Sequence, residues 1–387
     1  MDISESMRIT LTEWLDLISR EYLADYVPSG GSAVRFVSGA DSVINGVINS
    51  LKEDARSRDM HVVFLDPALL CPDGRKPDYH RIENVFFGVA RSFDWRSLAD
   101  RHLRTKMHEL GYVIPSDWLV GGDLTQFLRA NDLDHEVFVT ELKRALRADI
   151  VQDRAMALEF RAAVSALGYH RIVPDSHLPT TEDVVLRWLL GAKAEPGDSK
   201  VLEGYQIYGR ISRSNARHML VSLCHWLPKA GYSGLLLLLD FRPYEYKKPS
   251  RSQIDSRRLQ LEVAWERERR HKLEDAITRG TPPDQLVDMI ARLSSTEDPI
   301  TQKFQLPEVA YSGMAYMHMV HLLRAFLDEI ELFSRLFLVV LTTEGYYDTA
   351  APRNYRDYDA LQTRIANEVR GERGNPEGIL CHLKEDL

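Results

Sequence analysis

The residues that most directly suggest chemistry lie at the end of a short apolar run. Ala33-Val34-Arg35-Phe36-Val37 leads through Ser38-Gly39-Ala40-Asp41-Ser42 into an amphipathic stretch carrying Val43, Val47, Ile48 and Leu51. Strand, glycine turn and helix in that order can offer backbone N–H groups to a phosphate. The pattern that does so is G-x-x-x-x-G-K-[ST]: glycines let the backbone approach, Lys reaches the β/γ oxygens and Ser/Thr holds Mg²⁺. Over Gly39 to Gly46 the first glycine is present, but Ile44 stands at the second, Asn45 at the Lys and Gly46 at the hydroxyl. Asp41 adds a negative charge where phosphates would sit. A helix N-terminus, worth about 0.3–1 kcal/mol at an exposed site, does not replace both a Lys and a metal ligand. The same residues also read as an ordinary strand-to-helix turn. Far downstream, Leu235 to Leu239 ends in Asp240, which either orients a magnesium ion or caps a loop and pairs with Arg242.

A second candidate is electrostatic. Between Lys247 and Pro299 apolar residues are few, and Lys247, Lys248, Arg251, Arg257, Arg258, Arg267, Arg269, Arg270 and Lys272 outweigh the local acids, with Tyr244, Tyr246 and Trp265 interleaved. Clustered cations with aromatics suit contact with DNA phosphates, while Glu266/Arg270 and Glu268/Lys272 have the i,i+4 order of a solvated helix or a protein-docking arm. His318 and His321 share a helix face at i,i+3, but no third metal ligand is near in sequence, so no metal site is assigned. Met314, Met317 and Met319 read as core packing. Cys71, Cys224 and Cys381 are too scattered for zinc or a disulfide framework. No G-x-S-x-G elbow or paired-carboxylate arrangement is found, and no catalytic residue is assigned.

These residues need a scaffold. Apolar residues recur at helical spacing from Thr10 to Tyr26, stopped by Pro28-Ser29-Gly30-Gly31, and His61 to Leu65 is a second buried strand. Strand, turn, helix and strand make a βαβ unit and imply a parallel sheet. Further strands are expected at Leu235–Leu239, Leu336–Leu341 and Gly378–His382, the first two preceded by helices Ser214–Leu227 and Tyr316–Phe333. The expectation is one doubly wound α/β core over residues 1–387, with a helical insertion at 82–200 and a charged surface insertion at 247–299.

In 387 residues, 49 Lys+Arg against 57 Asp+Glu leave a net charge of −8, and 44% of the chain is hydrophobic. That balance excludes a protein that coats nucleic acid through bulk charge. Acids at Asp2 and Glu5 with no apolar run behind them do not read as a signal peptide, and no run approaches the ~20 residues of a membrane helix. A soluble cytoplasmic chain with no membrane partner is expected.

Three stretches taken together resemble a known family: Gly30 to Gly39, Gly209 to Asp240, and Leu336 to Asp348, with Tyr358-Asp359-Ala360-Leu361 leading to Arg364. They are similar to the AAA-like P-loop ATP-binding proteins of bacteriophage exclusion (BREX) and related defence systems. The most specific part is Ser214-Asn215-Ala216 followed by Gly231-Tyr232-Ser233-Gly234-Leu235 and the leucine strand. The resemblance implies a P-loop NTPase (AAA-like) fold in which Asp240 is the metal-orienting acid. Phe241 replaces the Glu that activates water in relatives, Thr343 matches a polar sensor, and Arg364 a basic residue that can face a neighbouring subunit's nucleotide. From the residues alone, Thr343 is a turn former before Gly345 and Arg364 part of a solvated face. With its Lys and Glu absent, the chain is expected to be a pseudo-ATPase without cofactor. It would serve as a structural or regulatory subunit of an anti-phage defence complex, a hetero-oligomer with a paralogous ATPase, a helicase, a nuclease or a methyltransferase. The alternatives are a noncanonical ATPase drawing its Lys from elsewhere, for instance Lys52, with ATP and Mg²⁺ as cofactors, and a DNA-binding adaptor using the basic segment.

Overall fold

The computed structural model describes residues 8–69, 76–115, 124–173, 180–246, 267, 270–283, 285–287, 289, 311–347, 353–356, 358–366 and 375–386. Six strands form one sheet: β1 (Ile9–Thr10), β2 (Ala33–Gly39), β3 (Met60–Leu65), β4 (Gly234–Asp240), β5 (Leu336–Thr343) and β6 (Leu380–Lys384). All pairings are parallel, in the order β1-β6-β2-β5-β4-β3. A parallel sheet covered on both faces reads as unbroken apolar runs, and all seven residues of β4 are buried. A leucine run suits a helix equally well by propensity. What sets this one as a strand is its limits, Gly231 in the left-handed region before it and Asp240 at its end. Gly234 is required there, because a Cβ would lie 2.8 Å from the Arg335 carbonyl oxygen.

Alternate side chains leave β4 on opposite faces. Leu236 and Leu238 join a layer made by α1 (Leu11–Leu17), the π-helical turns Ile18–Tyr26 and α2 (Asp41–Ser57), around Trp14, Ile18, Val47 and Leu51. Leu235, Leu237 and Leu239 join the opposite layer. Between β3 and β4 run α3 (Ile82–Ala90), α4 (Trp95–Glu109), α5 (Leu124–Ala130), α6 (His135–Leu146), α7 (Leu158–Ile172), α8 (Thr181–Leu189), α9 (Asp198–Gly204) and α10 (Ala216–Trp226). Their apolar residues form one continuous cluster with the sheet, and Trp95 of α4 stacks on Trp226 of α10 at 6.0 Å. After β4 come the short α11 (Arg242–Glu245) and, before β5, α12 (Gly313–Asp328); α13 (Asp359–Ala366) precedes β6.

The expected α/β class with a parallel sheet is what the fold displays, with local differences. β1 has two residues and no readable period. The last strand starts at Leu380 rather than Gly378, because a turn in which Gly378 N–H donates to the Asn375 carbonyl at 3.0 Å precedes it. The helix expected over Tyr316–Phe333 begins at Gly313, capped by the Ser312 hydroxyl, and ends at Asp328. Of the methionines read as core, Met319 is buried but Met314 is 67% exposed. Most of the expected charged insertion, including Lys247, Lys248, Arg257, Arg258 and Arg269, lies outside the described residues, as does Cys71; Arg267, Arg270 and Lys272 are described and exposed. Among the described residues, no helix is long and apolar enough to cross a membrane.

The helical layer is tied by a polar knot. The Asp149 carboxylate takes the His102 ring nitrogen at 2.7 Å and the Lys106 ammonium at 3.0 Å, and its backbone carbonyl accepts from Lys229 at 3.0 Å. Burial alone would raise the Asp149 pKa, but the hydrogen bonds from His102 and Lys106 outweigh it and hold the carboxyl well below the usual range. A depressed folded pKa stabilises the protein above the unfolded carboxylate value near 4, and that contribution is lost as pH falls further. Asp149→Asn is therefore expected to destabilise the fold by about 2 kcal/mol at pH 7 and to lose its disadvantage as the medium is acidified, read by urea unfolding at several pH values.

Candidate functional site

The carboxyl ends of the strands share one edge of the sheet, where open α/β sheets hold ligands. Register places Gly39 of β2 beside Thr343 of β5, and Asp240 of β4 beside Leu341 of β5. Gly39, Asp41, Asp240 and Thr343, far apart in sequence, are thus brought to one edge. Arg364 is not. It pairs at 2.8 Å with Asp328, at the end of α12 that leads to the opposite, amino edge of β5.

The stretch from Gly39 to Gly46 is not a loop. Ala40 alone separates β2 from α2, and the Ile44 N–H already donates to the Ala40 carbonyl at 3.0 Å in regular helix. From Ile44 on the N–H groups are used within the helix, so only the first turn of α2 has donors left. Asn45 is exposed in the second turn. Gly46 answers to packing, since a Cβ there would lie 2.9 Å from the Leu11 side chain of α1. The first turn of α2 is also flanked by acids: Asp41 itself, and Glu385, whose carboxylate accepts from the Ser42 hydroxyl.

The cation that reaches Asp240 at this edge is Arg242, the first residue of α11. Its guanidinium holds Asp240 through Nε at 3.0 Å and Nη2 at 2.7 Å, while Nη1 reaches Asp41 at 2.6 Å. The Arg242 backbone N–H also donates to Asp240 at 3.1 Å. The Asp240–Arg242 pairing is the reading of Asp240 that required no metal. Asp41, 201 positions away, could not be anticipated as its second partner. Burial would lower the Arg242 pKa, but Asp240 and Asp41 raise it further, so the cation is permanent.

Glu245 was not legible as a site residue. It is 7% exposed, accepts from the Thr343 N–H at 3.0 Å, and shares a hydrogen bond with the Thr343 hydroxyl. Burial pushes its carboxyl up to about 8 against the pull of those bonds, with nearby Asp240 adding to the rise. Asp66, just past β3, is raised by burial too and feels both Asp240 and Arg242. Thr343 is thus a partner of Glu245. Beside it, buried His382 of β6 is 3.2 Å from the Ser38 hydroxyl, which donates to the Thr343 carbonyl at 2.7 Å, and is 3.8 Å from Glu344. A serine, a histidine and an acid meet here, but Ser38 is fully buried and offers no accessible nucleophile. Burial pushes His382 down to about 4.

Lys52 stands about three turns, roughly 16 Å of helix, from Asp41, with its ammonium 4.4 Å from the centre of the Phe64 ring. It does not replace the missing loop Lys. His318 stacks 5.9 Å from His80, and His321 bonds the Tyr358 hydroxyl at 3.1 Å. Among the described residues, no group of three His, Cys, Asp or Glu is arranged to hold a metal ion.

Comparison with protein-family models, with curated proteins and with solved structures found no match for the chain.

The raised Glu245 pKa carries a test. The folded state keeps a proton that the unfolded chain releases near pH 4, so stability falls as pH rises from about 4 to about 8 and then levels. Glu245→Gln keeps the shape and removes the titration. It is expected to match the wild type near pH 4.5 and to exceed it by roughly 2–5 kcal/mol at pH 8, in denaturant titrations across that range.

Proposed function

We propose that this chain is a pseudo-ATPase: an α/β protein of AAA-like P-loop type that has lost nucleotide chemistry and acts by binding other proteins. The observation that carries the reading is the Arg242 guanidinium held between Asp240 and Asp41, where a nucleotide-bound metal would have to lie. Support also comes from the strand order. The strand bearing Thr343 lies between the one bearing Gly39 and the one bearing Asp240, so loop, sensor and acid positions of the resemblance fall at one edge. The direct passage from β2 into α2 leaves no cradle, and acids at the helix start repel a triphosphate.

The setting of that activity rests on the resemblance alone, since a fold does not fix a function. It is a bacterial anti-phage defence complex in which the chain is a structural or regulatory subunit beside an active ATPase, helicase, nuclease or methyltransferase.

Calorimetric titration with ATP and Mg²⁺ is expected to give no heat of binding at millimolar nucleotide and no steady hydrolysis. Micromolar, magnesium-dependent binding that disappears in Asp240→Asn would overturn the reading. Co-expression with neighbouring genes is expected to yield a stable complex, whereas recovery as a free monomer under all conditions argues against a subunit role.

A further inference from the structure

A cleft lies away from the Arg242 edge. It is an open groove of about 790 Å³ between α3, α8, α9 and the segment 207–212. Ile207 and Ile211 are buried and anchor the two ends of that segment, and the Trp188 indole N–H donates to the Gly209 carbonyl at 2.8 Å. The residues between the anchors are therefore held outward. Tyr208 is 78% exposed, the most exposed large apolar side chain among the described residues, and it lines the cleft.

Charges in the cleft divide into two sets. Arg187 is consumed by Asp198, at 2.6 and 3.0 Å through two nitrogens. Lys193 and Arg210 line the same cleft, are exposed, and have no acidic partner among the described residues. Ser199 and Ser212 add hydroxyls. Glu83 and Glu203 also line it, so it is not a uniform cationic trough.

We propose that this cleft binds single-stranded nucleic acid. An exposed aromatic ring on a fixed support is a stacking platform for a base, and unpaired cations beside it draw the phosphates on either side. Glu83 and Glu203 supply acceptors and repel bare phosphate, which favours cytosine, whose exocyclic amino group offers two N–H donors, over thymine, whose single N3–H lies between two carbonyl oxygens that the carboxylates repel. Bulk charge plays no part, in keeping with a net charge of −8. The site is independent of the pseudo-ATPase reading and of the charged segment at 247–299.

The test is fluorescence anisotropy with labelled 12-mers of oligo-dC and oligo-dT. Wild type is expected to bind oligo-dC more tightly than oligo-dT, with affinity falling as salt rises. Tyr208→Ala is expected to weaken binding about 10-fold. Lys193→Ala with Arg210→Ala is expected to weaken it and to flatten the salt dependence. These side chains are exposed, so circular dichroism should be unchanged. No binding by the wild type, an unchanged affinity in Tyr208→Ala, or displacement of the strand by ATP as readily as by unlabelled oligo-dC would each overturn the proposal. So would loss of binding on charge reversal at Arg269 and Arg270 together with retention in Tyr208→Ala.

Discussion

The constraint on which the structure depends is that β4 and β5 are buried on both faces. A parallel sheet whose central strands have no wet side must be covered by helices above and below, and its connections must cross over rather than turn back. That requirement accounts for α1 and α2 on one face and for the long helical passage from β3 to β4 on the other. It also collects every carboxyl end at one edge, so polar residues separated by hundreds of positions meet without any local sequence signal.

Meeting there creates an electrostatic problem. Asp240 is 4% exposed and Glu245 7%, and the Asp240 charge adds to the rise of both Glu245 and Asp66. A lone buried carboxylate costs several kcal/mol unless it is paired or takes up a proton. Both solutions are used: Arg242 pairs Asp240, and Glu245 is held toward its protonated form. The exposed Asp41 half of the Arg242 bridge adds little stability, because water screens it. What it fixes is the placement of the first turn of α2 against the end of β4.

The strands were legible because burial on both faces leaves runs with few alternatives, as in Leu235 to Leu239. β1 escaped because two residues carry no period, and β6 was displaced because Gly378, read as the first residue of the strand, closes the Asn375 turn instead. Of the candidate site, the departures from the phosphate-loop pattern at Ile44 and Asn45 and the Asp240–Arg242 pairing could be read from residue types and near neighbours. Glu245 could not, since its role comes from burial and from a partner 98 positions away. Nor could the placement of Arg364 beside Asp328 at the opposite edge. The expected turn over Ser38 to Ser42 shrinks to Ala40: the strand runs to Gly39 and the helix begins at Asp41.

That last point joins two features that look separate. A phosphate loop supplies both N–H donors and a cation next to the strand-end acid. Once the strand runs directly into the helix, neither is present, and Asp240 is left buried without a counter-charge. Arg242, two residues away, supplies one at short range with geometry that a carboxylate accepts bidentately. The direct β2–α2 passage and the internal ion pair are then one physical state, not two independent features. Placing a Lys at position 45 would not recreate a nucleotide site, because that position is an exposed turn of regular α2 and the guanidinium already occupies the acid. A nucleotide site at this edge would require lengthening the β2–α2 connection and removing Arg242 together, and either change alone leaves an unpaired buried acid or an unfilled cradle.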